Sequence, residues 1–185
     1  PFGNDGDFSQ QAMIHRINGD LANDLGNLSQ RVLSMIFKNC DGVMPALPTT
    51  PKDDDQSMLD AADALLPAVR DAIDKQAFHE ALRIIWHVVA DANRYVDTTA
   101  PWGLKKTDPK RMEEVLAVLA ECIRQVAILA QPVMPQATAL MLDQLGVAAD
   151  SRDFPALGGA ARLSSGHQIE KPVPVFPRYA VEEGQ

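Results

Sequence analysis

Apolar residues recur every three or four positions over most of the chain, the spacing of helices that each bury one face. In the first run Ile14, Ile17, Leu21, Leu25, Leu28, Val32 and Ile36 share a face and "NCDG" supplies a stop, which predicts one helix over about residues 8 to 39. The next stretch, "VMPALPTTPKDDD", reads as a surface loop because of its three prolines, with Asp53, Asp54 and Asp55 solvated and favouring the N-terminus that follows. Leu59, Ala62, Leu66, Val69 and Ile73 mark a second helix over 56 to 73, with Pro67 a kink or local break. Phe78, Leu82, Ile85, Val89, Ala92 and Val96 mark a third over 75 to 98, which must end before Pro101 because a proline pushes the preceding residue out of the α region. Asp108 and Pro109 read as N-cap and first-turn proline of a fourth helix, carried by Met112, Leu116, Leu119, Ile123, Val126 and Ala130 and bounded by Pro132 and Pro135. A short fifth helix, about 135 to 145, closes at Gly146. From residue 147 the helical period is lost, which leaves an irregular tail over the surface, extended at "KPVPVFPR". The fold class is therefore all-α, a five-helix bundle with an irregular C-terminal tail.

Composition narrows the functions open to such a bundle. At 185 residues the chain fits one domain, or one domain with an appended tail, and its first residue is not methionine, so a piece of a longer protein is expected. A net charge of -8 argues against a broadly basic, non-specific nucleic-acid binder but leaves room for local recognition of a few bases. Cys40 and Cys122 are far apart with no CxxC or Cys/His cluster, so they read as reduced thiols in a cytoplasmic protein. The longest apolar run, "VLAVLAECIRQVAILA", is broken by Glu121, Arg124 and Gln125, and no signal-peptide layout is present, so no membrane role is expected.

Catalytic patterns are lacking. His15, His79, His87 and His167 have no metal-ligand spacing, no nucleophile elbow or phosphate loop occurs, and "LGG" at 157 to 159 lies in irregular sequence. The chain is expected to bind rather than react, and two places carry that expectation. Asn27 and Arg31 are neighbours on one side of the first helix, beside its apolar stripe. An amide and a guanidinium so placed suit a base edge or a phosphate, or else local hydrogen bonds with Asp20, Asp24 or Asn23. Trp86, within the third helix, reads as a core or groove-filling residue. Trp102, after Pro101 and close to Lys105 and Lys106, is either a plug for the bundle end or an indole held out for stacking, with the lysines as phosphate-backbone candidates.

These features meet a family pattern. "NLSQR", "VVADANRYVDTTAPWGLKK" and "QPVMPQATALMLDQLG" resemble the anticodon-binding domain of the bacterial methionyl-tRNA synthetases, and the resemblance runs over nearly the whole chain. "PFGNDGDFSQQAMIHRINGDLANDLGNL" resembles the end of that family's stem-contact region entering the bundle, and "KPVPVFPR" its chain end returning toward the catalytic module. The resemblance implies a bundle of the class I synthetase type, divided into a linker end at 1–7, a helical domain at 8–146 and a tail at 147–185. It implies that Trp102 stacks on the first base of a CAU anticodon, a cytosine, oriented by Pro101, and that Asn27 and Arg31 contact base edges or backbone. The partners it implies are methionine-specific initiator and elongator tRNAs and the catalytic domain of the same chain, with no basis for a dimer. ATP and magnesium would belong to that catalytic domain, since the HIGH and KMSKS signatures and a zinc-knob cysteine cluster are absent here. The equivalent domain of a leucine, isoleucine, valine or cysteine enzyme, and a helical protein-interaction bundle with a structural Trp102, are the alternatives.

Overall fold

In the computed structural model, which describes residues 9–159 and 161–179, all five predicted helices are present. The linker end expected at 1–7 lies outside the described residues. The first helix is continuous but not uniform: α1 (Gln10–Arg16) passes through a π-helical stretch (Ile17–Gly26) into α2 (Asn27–Asn39). Ser9 caps it by accepting from the Ala12 amide at 3.2 Å. Leu25, Leu28, Val32 and Ile36 enter the core. The front of the predicted stripe does not, because α1 overhangs the bundle and buries no residue. Ile17 and Leu21 line an open groove of about 820 Å3 with Leu82, Trp86 and Val133. Trp86 is half-buried there and donates from Nε1 to the Asp20 carbonyl at 3.1 Å.

The second predicted helix is two, α3 (Asp53–Asp63) and α4 (Leu65–Asp74), parted at Ala64. Pro67 lacks the N–H that would continue the ladder, and its ring clashes with the carbonyl four residues earlier, so the helix yields one turn before the proline. The aspartate run is not a loop. Asp53, Asp54 and Asp55 form the first turn of α3, and Asp55 is fully buried. The third helix, α5 (Phe78–Thr99), stops where expected, at Ala100 in the left-handed region with φ 44°. A further short helix, α6 (Pro101–Thr107), then begins at once, because a proline that ends one helix is well suited to the first position of the next.

The core is built on α7 (Pro109–Ala130), in which every residue from Val115 to Ala130 is buried. Asp108 caps it as predicted, accepting from the Arg111 amide at 3.0 Å. Glu121, Arg124 and Gln125, which interrupt its apolar run, are buried, and Glu121 accepts from both of the others. No helix among the described residues is long and apolar enough to cross a membrane. The fifth helix, α8 (Pro135–Gln144), stops at Gly146, whose φ is 72°. A Cβ on Gly146 would stand 2.5 Å from the His167 ring, and that ring's Nε2 is 2.8 Å from the Leu145 carbonyl. Gly146→Ala is therefore expected to lower stability by about 1–3 kcal/mol, from a non-glycine residue forced into the left-handed region, read as a shift of the urea midpoint at constant m.

The tail lies over the bundle in two short 3₁₀ turns and extended chain, and no strand occurs among the described residues. Its contact with the opening helix is close. A Cβ on Gly26 would stand 2.9 Å from the Leu21 carbonyl and 3.2 Å from the Phe176 ring. Asn18 donates to the Tyr179 carbonyl at 3.0 Å and accepts from its amide at 2.8 Å, and Arg178 donates to Asn23 at 2.6 Å.

Candidate functional site

The corner between α5 and α6 decides how Trp102 is presented. Thr99 donates to the Tyr95 carbonyl at 2.7 Å and the Ala100 amide to that of Val96 at 3.1 Å, so α5 is closed tightly before the chain turns. Pro101 is buried, which anchors the start of α6, while Trp102 beside it is 52% exposed. A plug would be covered; this indole is held outward.

Arg31, half-buried on α2, reaches the same corner. Its Cζ lies over the Trp102 ring, 5.5 Å from the centroid, and its Nη2 donates to Asp97 of α5 at 2.9 Å. The cation–π contact is worth about 0.5–1 kcal/mol in such an exposed setting, and the ion pair about 0.2–1 kcal/mol. These partners come from across the bundle, not from Asp20, Asp24 or Asn23. Asp20 instead pairs with Arg16 at 2.8 Å, and Asn23 with Arg178.

Asn27 is exposed one turn before Arg31 and faces another concavity. It lines a cavity of about 410 Å3 with Asn23, Gln30, Pro174, Phe176 and Arg178, between the opening helix and the tail. Lys105 and Lys106, exposed in the last turn of α6, lie three and four residues after Trp102, the spacing of one helical face. Arg31, Trp102 and Pro101 are thus gathered at one corner and the lysines follow on α6, while Asn27, one turn before Arg31, lines the separate cavity against the tail. Sequence reasoning missed Asp97, because nothing in local spacing points to a partner 66 positions away. It also missed the tail as a wall of the Asn27 cavity, since "KPVPVFPR" has no period to place it.

Among the described residues no group of three or more His, Cys, Asp or Glu could hold a metal ion. Burial, with Glu113 and Asp41 adding, pushes the Cys40 thiol up to about 11, and burial pushes the enclosed Cys122 higher still, the reverse of an activated thiolate. Asp55 differs, since burial opposes its charge but hydrogen bonds from Arg111, Tyr95 and the Lys52 amide outweigh it and hold the carboxyl below its ordinary range.

Comparison with known proteins gives one answer. A family model described as the anticodon binding domain of methionyl tRNA ligase matches residues 46–185. The methionine–tRNA ligase of Rhizobium meliloti strain 1021 is 52% identical over 183 residues, covering 98% of this chain and 35% of the relative. That of Brucella suis biovar 1 is 50% identical over 185 residues, covering 100% of this chain and 36% of the relative. A crystal structure of Mycobacterium tuberculosis methionyl-tRNA synthetase in its apo form aligns with a TM-score of 0.93 at 45% identity, over 98% of this chain and 37% of that one. The same enzyme bound by methionyl-adenylate aligns with a TM-score of 0.92 at 45% identity, over 96% and 35%. The chain spans about a third of the length of these relatives.

Proposed function

Since the chain belongs to the methionyl-tRNA ligase family, in which it is the anticodon-binding domain, we propose that it recognises the CAU anticodon of initiator and elongator methionine tRNAs at the α5–α6 corner. The observation that carries this reading is an indole 52% exposed next to a buried proline. One face of Trp102 rests against Arg31, and the first anticodon base, a cytosine, stacks on the open face. Arg31 spends one nitrogen on Asp97 and turns its remaining donors, with Asn27, to base edges or backbone. Lys105 and Lys106 meet phosphate. A small basic and aromatic site of this kind is compatible with a net charge of -8, because recognising a few bases does not need a basic surface overall.

The recognition domain is residues 8–146 and the C-terminal tail residues 147–185, of which Phe176, Arg178 and Tyr179 lie against the opening helix. In the whole protein, a catalytic domain of the same chain joins methionine to the tRNA in two steps through methionyl-adenylate, using ATP and magnesium, in the cytoplasm. None of the residues described here is assigned a part in that chemistry, and anticodon contacts become selective by adding to contacts at the acceptor end.

Fluorescence tests the placement of Trp102. With Trp86→Phe removing the second indole, emission is expected to be red-shifted in the free chain and quenched by an anticodon stem-loop bearing CAU, with weaker binding when the first base is changed. Blue emission indifferent to every stem-loop would overturn the reading.

A further inference from the structure

The segment that presents Trp102 is pinned at both ends by a single buried carboxylate. Tyr95 of α5 lies before the corner and Arg111 of α7 lies after α6, so Asp97, Ala100, Pro101, Trp102 and both lysines fall between them. Asp55, fully buried at the head of α3, bonds to both. Its Oδ1 accepts from Tyr95 Oη at 2.6 Å and from Arg111 Nη2 at 2.6 Å. Its Oδ2 accepts from Arg111 Nη1 at 2.6 Å and from the Lys52 amide at 3.1 Å. Tyr95 is 8% exposed and Arg111 8% exposed, so water does not compete for these bonds. A two-pronged guanidinium–carboxylate pair fixes orientation as well as distance. A carboxylate satisfied on both oxygens by rigid helices is a suitable device for fixing the span between its two partners.

We infer that Asp55, with Tyr95 and Arg111, is a positioning residue for tRNA recognition: the clamp sets the angle of the α5–α6 corner and thereby holds the Trp102 ring in its stacking pose. The inference rests on Trp102 being the anticodon platform. It accounts for a fully buried acidic side chain at the start of α3 that bonds to residues on both sides of α6.

The test compares Asp55→Asn and the milder Tyr95→Phe, in the 185-residue chain carrying Trp86→Phe, with Gly146→Ala as a remote destabilised control. All are measured well below their melting midpoints. Tyr95→Phe is expected to weaken binding of a CAU stem-loop several-fold and Asp55→Asn about tenfold or more, each with lower fluorescence anisotropy of Trp102 in the absence of RNA. Gly146→Ala melts early yet keeps wild-type affinity and anisotropy. The inference is overturned if the two clamp variants melt lower but retain wild-type anisotropy and affinity. If Asp55→Asn does not fold, Tyr95→Phe decides alone. The RNA-free anisotropy separates the two readings: a chain that binds no stem-loop sinks the anticodon assignment, while the anisotropy still reports whether the clamp orders the indole.

Discussion

Replacing Glu121 with alanine is expected to lower the unfolding free energy by about 3–5 kcal/mol, the cost of removing one partner from a buried charge pair. Glu121 is wholly buried in the middle of α7. It accepts from Arg124 Nε at 2.9 Å and Nη2 at 2.7 Å, from Gln125 at 2.9 Å and from the Leu163 amide at 2.9 Å. Without it, Arg124, whose side chain is only 4% exposed, keeps just the Ala156 and Ala161 carbonyls. The Leu163 amide loses its acceptor as well, so the tail should loosen along with the core. Urea titration measures the global loss, and hydrogen exchange at Leu163 the local one. A change below about 1 kcal/mol, the level of an exposed pair, would show that the cluster is not the buried staple its geometry implies.

Trp102→Ala is expected to leave stability nearly unchanged and to remove most of the affinity for an anticodon stem-loop. Stability changes little because the ring is half exposed and its contact with Arg31 is worth about 0.5–1 kcal/mol. Binding changes much more, because stacking one base on an aromatic ring contributes about 1–3 kcal/mol, roughly 5- to 150-fold in affinity. Trp102→Phe should recover part of that loss, since a smaller ring still offers a π face. Filter binding or anisotropy of a labelled stem-loop checks both variants beside a melting curve. A large loss of stability with unchanged binding would mean that the indole is structural after all.

The bundle was readable from the sequence wherever periodicity and punctuation agreed. Asp108 and Pro109 opened α7, Gly146 closed α8, and Pro101 ended α5, each by a mechanism confined to a few residues. What escaped depended on distant partners. Apolar spacing of three and four fits α and π turns alike, so the Ile17–Gly26 stretch left no mark. Helix α6 is seven residues long and buries only Pro101, too little to show a period. Three successive aspartates look solvated, and only Tyr95 and Arg111, 40 and 56 positions on, draw Asp55 inside. At the site, local physics left Trp102 open between plug and platform. The family pattern favoured the platform, and the buried Pro101 beside an exposed ring gives that preference a physical basis.

Crossing the protein change with the RNA change tests the central claim most directly. Wild type and Trp102→Ala are each titrated with a CAU stem-loop and with one whose first anticodon base is altered, and the coupling between the two changes is taken from the four affinities. The expected result is a clear preference of the wild type for CAU, lost in Trp102→Ala, so that the coupling is about as large as the stacking contribution. Four affinities that show the same base preference with and without the indole would contradict it.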